Sequence, residues 1–104
     1  MTKPGEVYWV DLGIGGKVRM MVVVSRHDPD APRALSLCVP ITSQYRGSEY
    51  EVELPKTPFL KVKSYANVQG LQAIADNELL EKVGAVFGEP FEKIKNALRW
   101  TLEL

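Results

Sequence analysis

Arg19 and Thr42 are the side chains of this sequence whose types and placement best suit work on a phosphate. Arg19 opens the apolar run "MMVVV" (20–24), and Thr42, Ser43 and Gln44 close the apolar stretch "LSLCVPI" (35–41). If the two runs are neighbouring antiparallel strands, the start of one lies near the end of the other. Arg19 and Thr42 then share one rim of a sheet. A guanidinium offers phosphate oxygens a rigid fork of donors, and a threonine hydroxyl adds one more. A charged side chain is expensive to bury unless it is paired. Arg19 is therefore either a solvated strand-end charge or a group that a strand holds out for use. On composition alone, the solvated charge is the commoner case.

Other chemistries find less support. Cys38 and His27 are the only strong soft ligands, and neither has a partner at metal-ligand spacing, so no metal or cofactor is expected. Cys38 lies inside an apolar run and reads as a small buried hydrophobe rather than a nucleophile. His27 stands in the Pro/Asp segment "HDPDAPR" (27–33), where a solvated loop histidine outweighs a general base. "GIGG" (13–16) lacks the lysine and following helix of a phosphate loop, so it reads as a hairpin connection.

The elements that must position Arg19 and Thr42 read mostly as strands. "EVYWVDL" (6–12) places Val7 and Trp9 on one face and Tyr8, Val10 and Leu12 on the other. "VRMMVVVSR" (18–26) is apolar on both faces and therefore central. "ALSLCVPI" (34–41) carries Pro40 near its end, where a ladder donor can be spared. "EYEVELP" (49–55) alternates glutamates with Tyr50, Val52 and Leu54, and "SYANVQGL" (64–71) is a weaker fifth strand. The period then changes. Asp76 is predicted to cap a short helix through "NELLEKVGAVF". Pro90 suits the first turn of a second helix, in which Phe91, Ile94, Leu98 and Leu102 recur at helical spacing. The prediction is one α+β domain over residues 1–104, a small, strongly bent antiparallel five-stranded sheet with a C-terminal helix packed on it.

Composition sets the outer bounds. The chain has 104 residues, 45% hydrophobic and 25% charged, with Lys+Arg and Asp+Glu at 13 each. No overall field advertises a polyanion partner. Within residues 13–48, however, Lys17, Arg19, Arg26, Arg33 and Arg46 stand against only Asp28 and Asp30. No apolar run approaches the roughly 18 residues of a membrane span, and "MTKPGEVYW" lacks the apolar stretch of a signal peptide. A single cysteine fits a reducing cytoplasm.

The order of motifs resembles the MazF/PemK-like toxins, endoribonucleases of type II toxin–antitoxin pairs. "KPGEVYWVDL" resembles the family's opening strand, and "VRMMVVVS" its arginine leading into a valine-rich strand. "CVPITSQ" resembles the strand ending in threonine and a short polar pair. "EYEVELP" and "SYANVQGL", with Gln69, resemble later strands, and "PFEKIKNALRWTLEL" the closing helix. Met20 stands where the family usually has proline, and Val68 where it has an acidic residue. The first loop is also shorter than the family's.

That resemblance implies the bent five-stranded sheet of the plasmid-maintenance toxins, an SH3-like barrel shared by the CcdB and MazF types. It implies Arg19 and Thr42 as the catalytic pair for metal-independent cleavage of single-stranded RNA by 2′-hydroxyl attack. Lys17, Arg26, Ser43, Gln44, Arg46 and Gln69 are the implied RNA contacts. Tyr45 and Tyr65 are candidates for meeting bases, against an equally good role in a core or dimer contact. A homodimer, a cognate antitoxin and a patch of exposed apolar surface are also implied, with Trp100 a candidate for that patch. Two alternatives stand beside this reading. One is a same-fold toxin that poisons a protein such as DNA gyrase through a tryptophan at the extreme C-terminus, against which Trp100 is followed by "TLEL". The other is a catalytically silent barrel that binds RNA or antitoxin.

Overall fold

The two apolar runs flanking Arg19 and Thr42 are neighbours in the structure. The computed structural model describes residues 2–13 and 17–104. Its strands are β1 (Glu6–Asp11), β2 (Val18–Val23), β3 (Leu35–Thr42), β4 (Glu51–Glu53), β5 (Tyr65–Asn67), β6 (Gln72–Ala75) and β7 (Leu79–Ala85), followed by helix α1 (Gly88–Leu102). The sheet runs β4-β5-β3-β2-β1-β7, with β6 also on β3. Every pairing is antiparallel. The path ends at β4 and β7, so the sheet is open. The α+β class, the bent antiparallel sheet and the C-terminal helix are as the sequence predicts, but the described residues form seven strands rather than five.

β1 and β2 pair from Val7–Val22 to Asp11–Val18, and Leu12 N–H donates to the Lys17 carbonyl at 3.0 Å. This is the expected hairpin. Of its glycine-rich connection, Ile14, Gly15 and Gly16 lie outside the described residues. β2 is central, between β1 and β3, and Met21, Val22 and Val23 are buried. Alternation sends its side chains into two cores. Val22 joins Val7, Val39, Ile41, Val52, Leu54 and Ile94 on one face. Met21 and Val23 join Val10, Cys38 and Ile74 on the other, with Tyr8 and Leu12 against them. The predicted facing of β1 is therefore borne out.

β3 divides its outer edge between two partners. Leu35–Cys38 pair with β6, and Ile41 and Thr42 pair with β5. Pro40 sits at the division. Val24 N–H donates to the Leu37 carbonyl at 2.8 Å, so the odd-numbered residues of β3 face β2. The even-numbered ones, Pro40 included, face β5 and β6. Pro40 has no N–H to give there. The facing chain leaves the ladder at that point in a 3-10 turn, Val68–Gly70. Gly70 lies against the proline ring, where a Cβ would come within 2.7 Å of Pro40 Cγ. The predicted strand 64–71 is thus a three-residue strand and a turn.

The helix expected after Asp76 is corrected. Asp76–Glu78 form one 3-10 turn, with the Glu78 carboxylate accepting the Ala75 N–H at 2.9 Å. Leu79–Ala85 then run as a strand along β1. Leu79, Leu80 and Val83 have helical spacing, but β1 presents an open edge of backbone donors and acceptors, and satisfying that edge outweighs a short helix's weak intrinsic preference. α1 forms as predicted, with Pro90 in its first turn. Ile94 is buried, and Phe91, Ala97 and Leu98 pack beside it. Leu102 and Trp100 are each 50% exposed.

Candidate active site

Three β2–β3 pairs, Met21–Pro40, Val22–Val39 and Val23–Cys38, define one register. The paired ladder ends at Met21–Pro40, and Arg19 and Thr42 each stand two residues beyond that last pair. Arg19 and Thr42 line a single groove of about 510 Å³ together with Lys17, Ser43, Lys61, Trp9, Met20 and Phe59. Among the described residues, no carboxylate lines it. Among the described residues, Lys17, Arg19 and Lys61 have no ion pair. The groove is therefore electropositive although the whole chain is neutral.

Thr42 is half-buried, and its Oγ1 accepts the Gln44 N–H at 3.1 Å. That turn fixes the oxygen and leaves the hydroxyl hydrogen free to donate outward. Thr42 also borders a second groove of about 420 Å³ that contains Gln44, Arg46, Gln69, Tyr50 and Glu51. Here the cation is tempered. Arg46 donates from Nη2 to Gln44 Oε1 at 3.5 Å, and its N–H donates to Glu51 Oε2 at 2.9 Å. The Ser48 hydroxyl and N–H bind Glu51 Oε1 at 2.7 and 2.9 Å. The hydroxyl first, then these N–H groups, hold the Glu51 carboxyl below its usual range. Gln69 is the middle residue of the turn beside Pro40, with its N–H donating to Asn67 Oδ1 at 3.1 Å.

Five of the six residues expected to contact RNA thus border one of two grooves that meet at Thr42. Arg26 does not. It lines a separate cavity of about 310 Å³ with Asp28, Arg33 and Asp76. His27 is exposed and its Nδ1 lies 3.0 Å from the Thr2 carbonyl, in neither groove. Cys38 is fully buried, and that burial, with Asp76 adding to it, pushes the thiol up to about 11. It is protonated at neutral pH and out of reach. Among the described residues, no three His, Cys, Asp or Glu side chains gather as a metal site, and no helix is long and apolar enough to cross a membrane.

Sequence reasoning missed Lys61, Trp9 and Phe59. The signal for Lys61 was "PKTPFLKVK" (55–63), in which three lysines alternate with apolar residues and prolines. Phe59 packs so closely on Gly84 of β7 that a Cβ there would meet its ring. This contact straps the segment across the sheet and brings Lys61 to the groove.

A family model for the PemK-like, MazF-like toxin of type II toxin–antitoxin systems matches residues 3–102. Among solved structures, an endoribonuclease in complex with its cognate antitoxin from a mycobacterial species superposes with a TM-score of 0.84 at 26% identity, covering 100% of this chain and 97% of that one. The Mycobacterium tuberculosis toxin MazF-mt6 gives 0.82 at 19% identity, over 95% and 97% of the two chains. MazF from Deinococcus radiodurans gives 0.82 at 18%, over 99% and 97%. No curated protein matches the chain in sequence.

Proposed function

This chain belongs to the PemK-like, MazF-like toxins of type II toxin–antitoxin systems, and from that premise we propose that it is an endoribonuclease that cleaves single-stranded RNA, with Arg19 and Thr42 as its catalytic pair. The observation that carries this reading is the carboxylate-free groove in which Arg19 and Thr42 stand together with Lys17 and Lys61. The ribose 2′-hydroxyl attacks the adjacent phosphorus. A 2′-oxygen–phosphorus bond forms and the bond to the 5′-oxygen breaks. The products are a cyclic phosphate and a 5′-hydroxyl, which takes up a proton as the 2′-hydroxyl gives one up. The nucleophile belongs to the RNA, so the buried Cys38 and the remote His27 have no part. Arg19 stabilises charge gathering on the phosphate, and the Thr42 hydroxyl donates to one of its oxygens. Each such preorganised donor is worth about a hundred- to a thousandfold in kcat.

Lys17 and Ser43 border the same groove, and Gln44, Arg46 and Gln69 extend the path on the other side of Thr42. The reading takes residues 1–104 as one toxin domain, acting as a homodimer in the cytoplasm and silenced by a cognate antitoxin. Solved relatives are held in complexes with antitoxins. The test is cleavage of a long single-stranded RNA in EDTA by the parent, Arg19→Ala and Thr42→Ala. The parent is expected to cut and each variant to lose at least a hundredfold. Equal cleavage by all three, or none by the parent, overturns the reading. Inhibition of DNA gyrase without RNA cleavage would establish the alternative.

A further inference from the structure

Two tyrosines named from the sequence have different fates. Tyr45 and Tyr65 stack with ring centroids 4.4 Å apart and planes 11° from parallel. Tyr65 is buried at 7% exposure, whereas Tyr45 is 57% exposed. The inner ring therefore belongs to the core, and the outer ring presents its second face to solvent. Tyr65 pairs directly with Thr42 across β3 and β5. Tyr45 follows Thr42 by three residues. The stack is thus built on Tyr65, whose backbone lies about one strand spacing, some 5 Å, from that of Thr42, with the Tyr45 ring stacked 4.4 Å from the Tyr65 ring.

The ring is also held in place. Its loop is clamped by Glu51, which accepts the N–H groups of Arg46 and Ser48. Thr42 Oγ1 fixes the Gln44 N–H on the other side. A large aromatic exposed on a polar loop is a poor choice for solubility alone. Pre-stacked on a buried partner, it loses little freedom when a second flat group lands on it. Every nucleobase has a face that can stack on such a ring.

We propose that Tyr45 is a base-stacking residue that receives the nucleobase next to the scissile phosphate, with Tyr65 as the positioning residue behind it. This rests on the ribonuclease reading above and adds to it where the RNA lies. The stack orients one nucleotide on the β5 side of Thr42, so that the phosphate beside it meets Arg19 and the Thr42 hydroxyl.

The test begins with the parent protein and a long single-stranded RNA, whose cleavage sites are mapped. An oligonucleotide spanning one site is made with a 2′-deoxy sugar at the cleaved nucleotide, which removes the attacking hydroxyl. 2-Aminopurine is placed at each flanking position in turn. Binding to the parent and to Tyr45→Phe should quench one flanking position. Tyr45→Leu, which still covers Tyr65 but offers no π face, should leave it bright and bind roughly ten- to a hundredfold more weakly. The thermal melting of the three proteins should agree. If the parent cleaves RNA but quenches no flanking position, the proposal fails while the ribonuclease reading stands. Equal binding and quenching by Tyr45→Leu has the same consequence. A parent that neither cleaves nor binds RNA removes both.

Discussion

Met20 faces Trp9 across the β1–β2 ladder, one residue beyond the last β2–β3 pair, Met21 with Pro40. Leu12 N–H donates to the Lys17 carbonyl, so antiparallel alternation makes Val10–Arg19 a hydrogen-bonded pair and Trp9–Met20 a non-bonded one. The Met20 N–H is thus turned away from β1, at a point where the β2–β3 ladder has already stopped. A proline there removes no β1 bond.

Met20→Pro is therefore expected to fold, with stability unchanged or raised by about 0.4–1 kcal/mol through a stiffer unfolded chain. It should also hold the backbone beside Arg19 more firmly and keep or raise RNA cleavage. Thermal melting and cleavage of single-stranded RNA check both halves. A folded Met20→Pro protein that no longer cuts would mean that Arg19 depends on a backbone geometry that proline forbids.

Lys61 and Arg26 separate the groove from the general surface charge. Lys61 borders the groove of Arg19 and Thr42, and Arg26 lines a different cavity beside two aspartates. Lys61→Ala should lower kcat/KM on RNA several-fold. It should also make the fall of affinity with salt shallower, by about 0.7 in the log–log slope for one lost phosphate contact on a single strand. Arg26→Ala should change neither. Binding of a 2′-deoxy-blocked oligonucleotide from 50 to 200 mM salt would measure this, and equal effects of the two variants would mean that the RNA path is not confined to the groove.

The groove's two central residues were legible because strand period and strand order are local signals. Arg19 and Thr42 flank apolar runs whose neighbouring, antiparallel arrangement brings the ends together. The second strand reads as central because "VRMMVVVSR" (18–26) is apolar on both faces. β7 was not legible, because "LLEKVGA" has helical spacing and becomes a strand only against the free edge of β1, 70 residues away in the chain. Lys61 was hidden for a similar reason. Nothing local in "PFLKVK" announces that Phe59 docks on Gly84. Arg26 looked like its neighbours in charge, and only the direction of the chain after Val23 carries it to the other end of the sheet.

Gly5 ties the ends of two strands together. Its N–H donates to the Val23 carbonyl at 2.8 Å, and its own carbonyl accepts the Val86 N–H at 2.7 Å. It sits at φ +91°, and a Cβ would stand 2.5 Å from the Val86 carbonyl oxygen. Gly5→Ala combines a left-handed backbone, about 1–2 kcal/mol, with a contact to main chain that cannot rotate away. A loss of at least about 2 kcal/mol is expected, or a fall in Tm of roughly 10 °C for a domain of this size. A melt within about 2 °C of the parent would show that the β2 and β7 ends are not joined in this way.

Glu6 makes the β1–β7 contact sensitive to acid. Its carboxylate accepts the Lys3 N–H at 2.8 Å, the Tyr8 hydroxyl at 3.1 Å and the Lys82 ammonium at 2.8 Å. Burial, the largest single influence, pushes its pKa up, but Lys82, Lys3 and Tyr8 together bring it below its ordinary 4.5. A carboxylate depressed in the folded state contributes stability above its unfolded pKa. It loses that contribution as pH falls through the folded value. The contribution is therefore complete at neutral pH, begins to fall near pH 4.5 and is lost as pH passes through the lower folded value. Glu6→Gln keeps the size of the side chain but not its charge. It should cost about 1 kcal/mol at pH 7, since Lys82 is half-exposed and the pair is partly screened. Urea midpoints at pH 7, 5 and 3 should show the gap between parent and variant closing at the lowest pH. A gap that stays constant with pH would assign the cost to lost packing rather than to the charge.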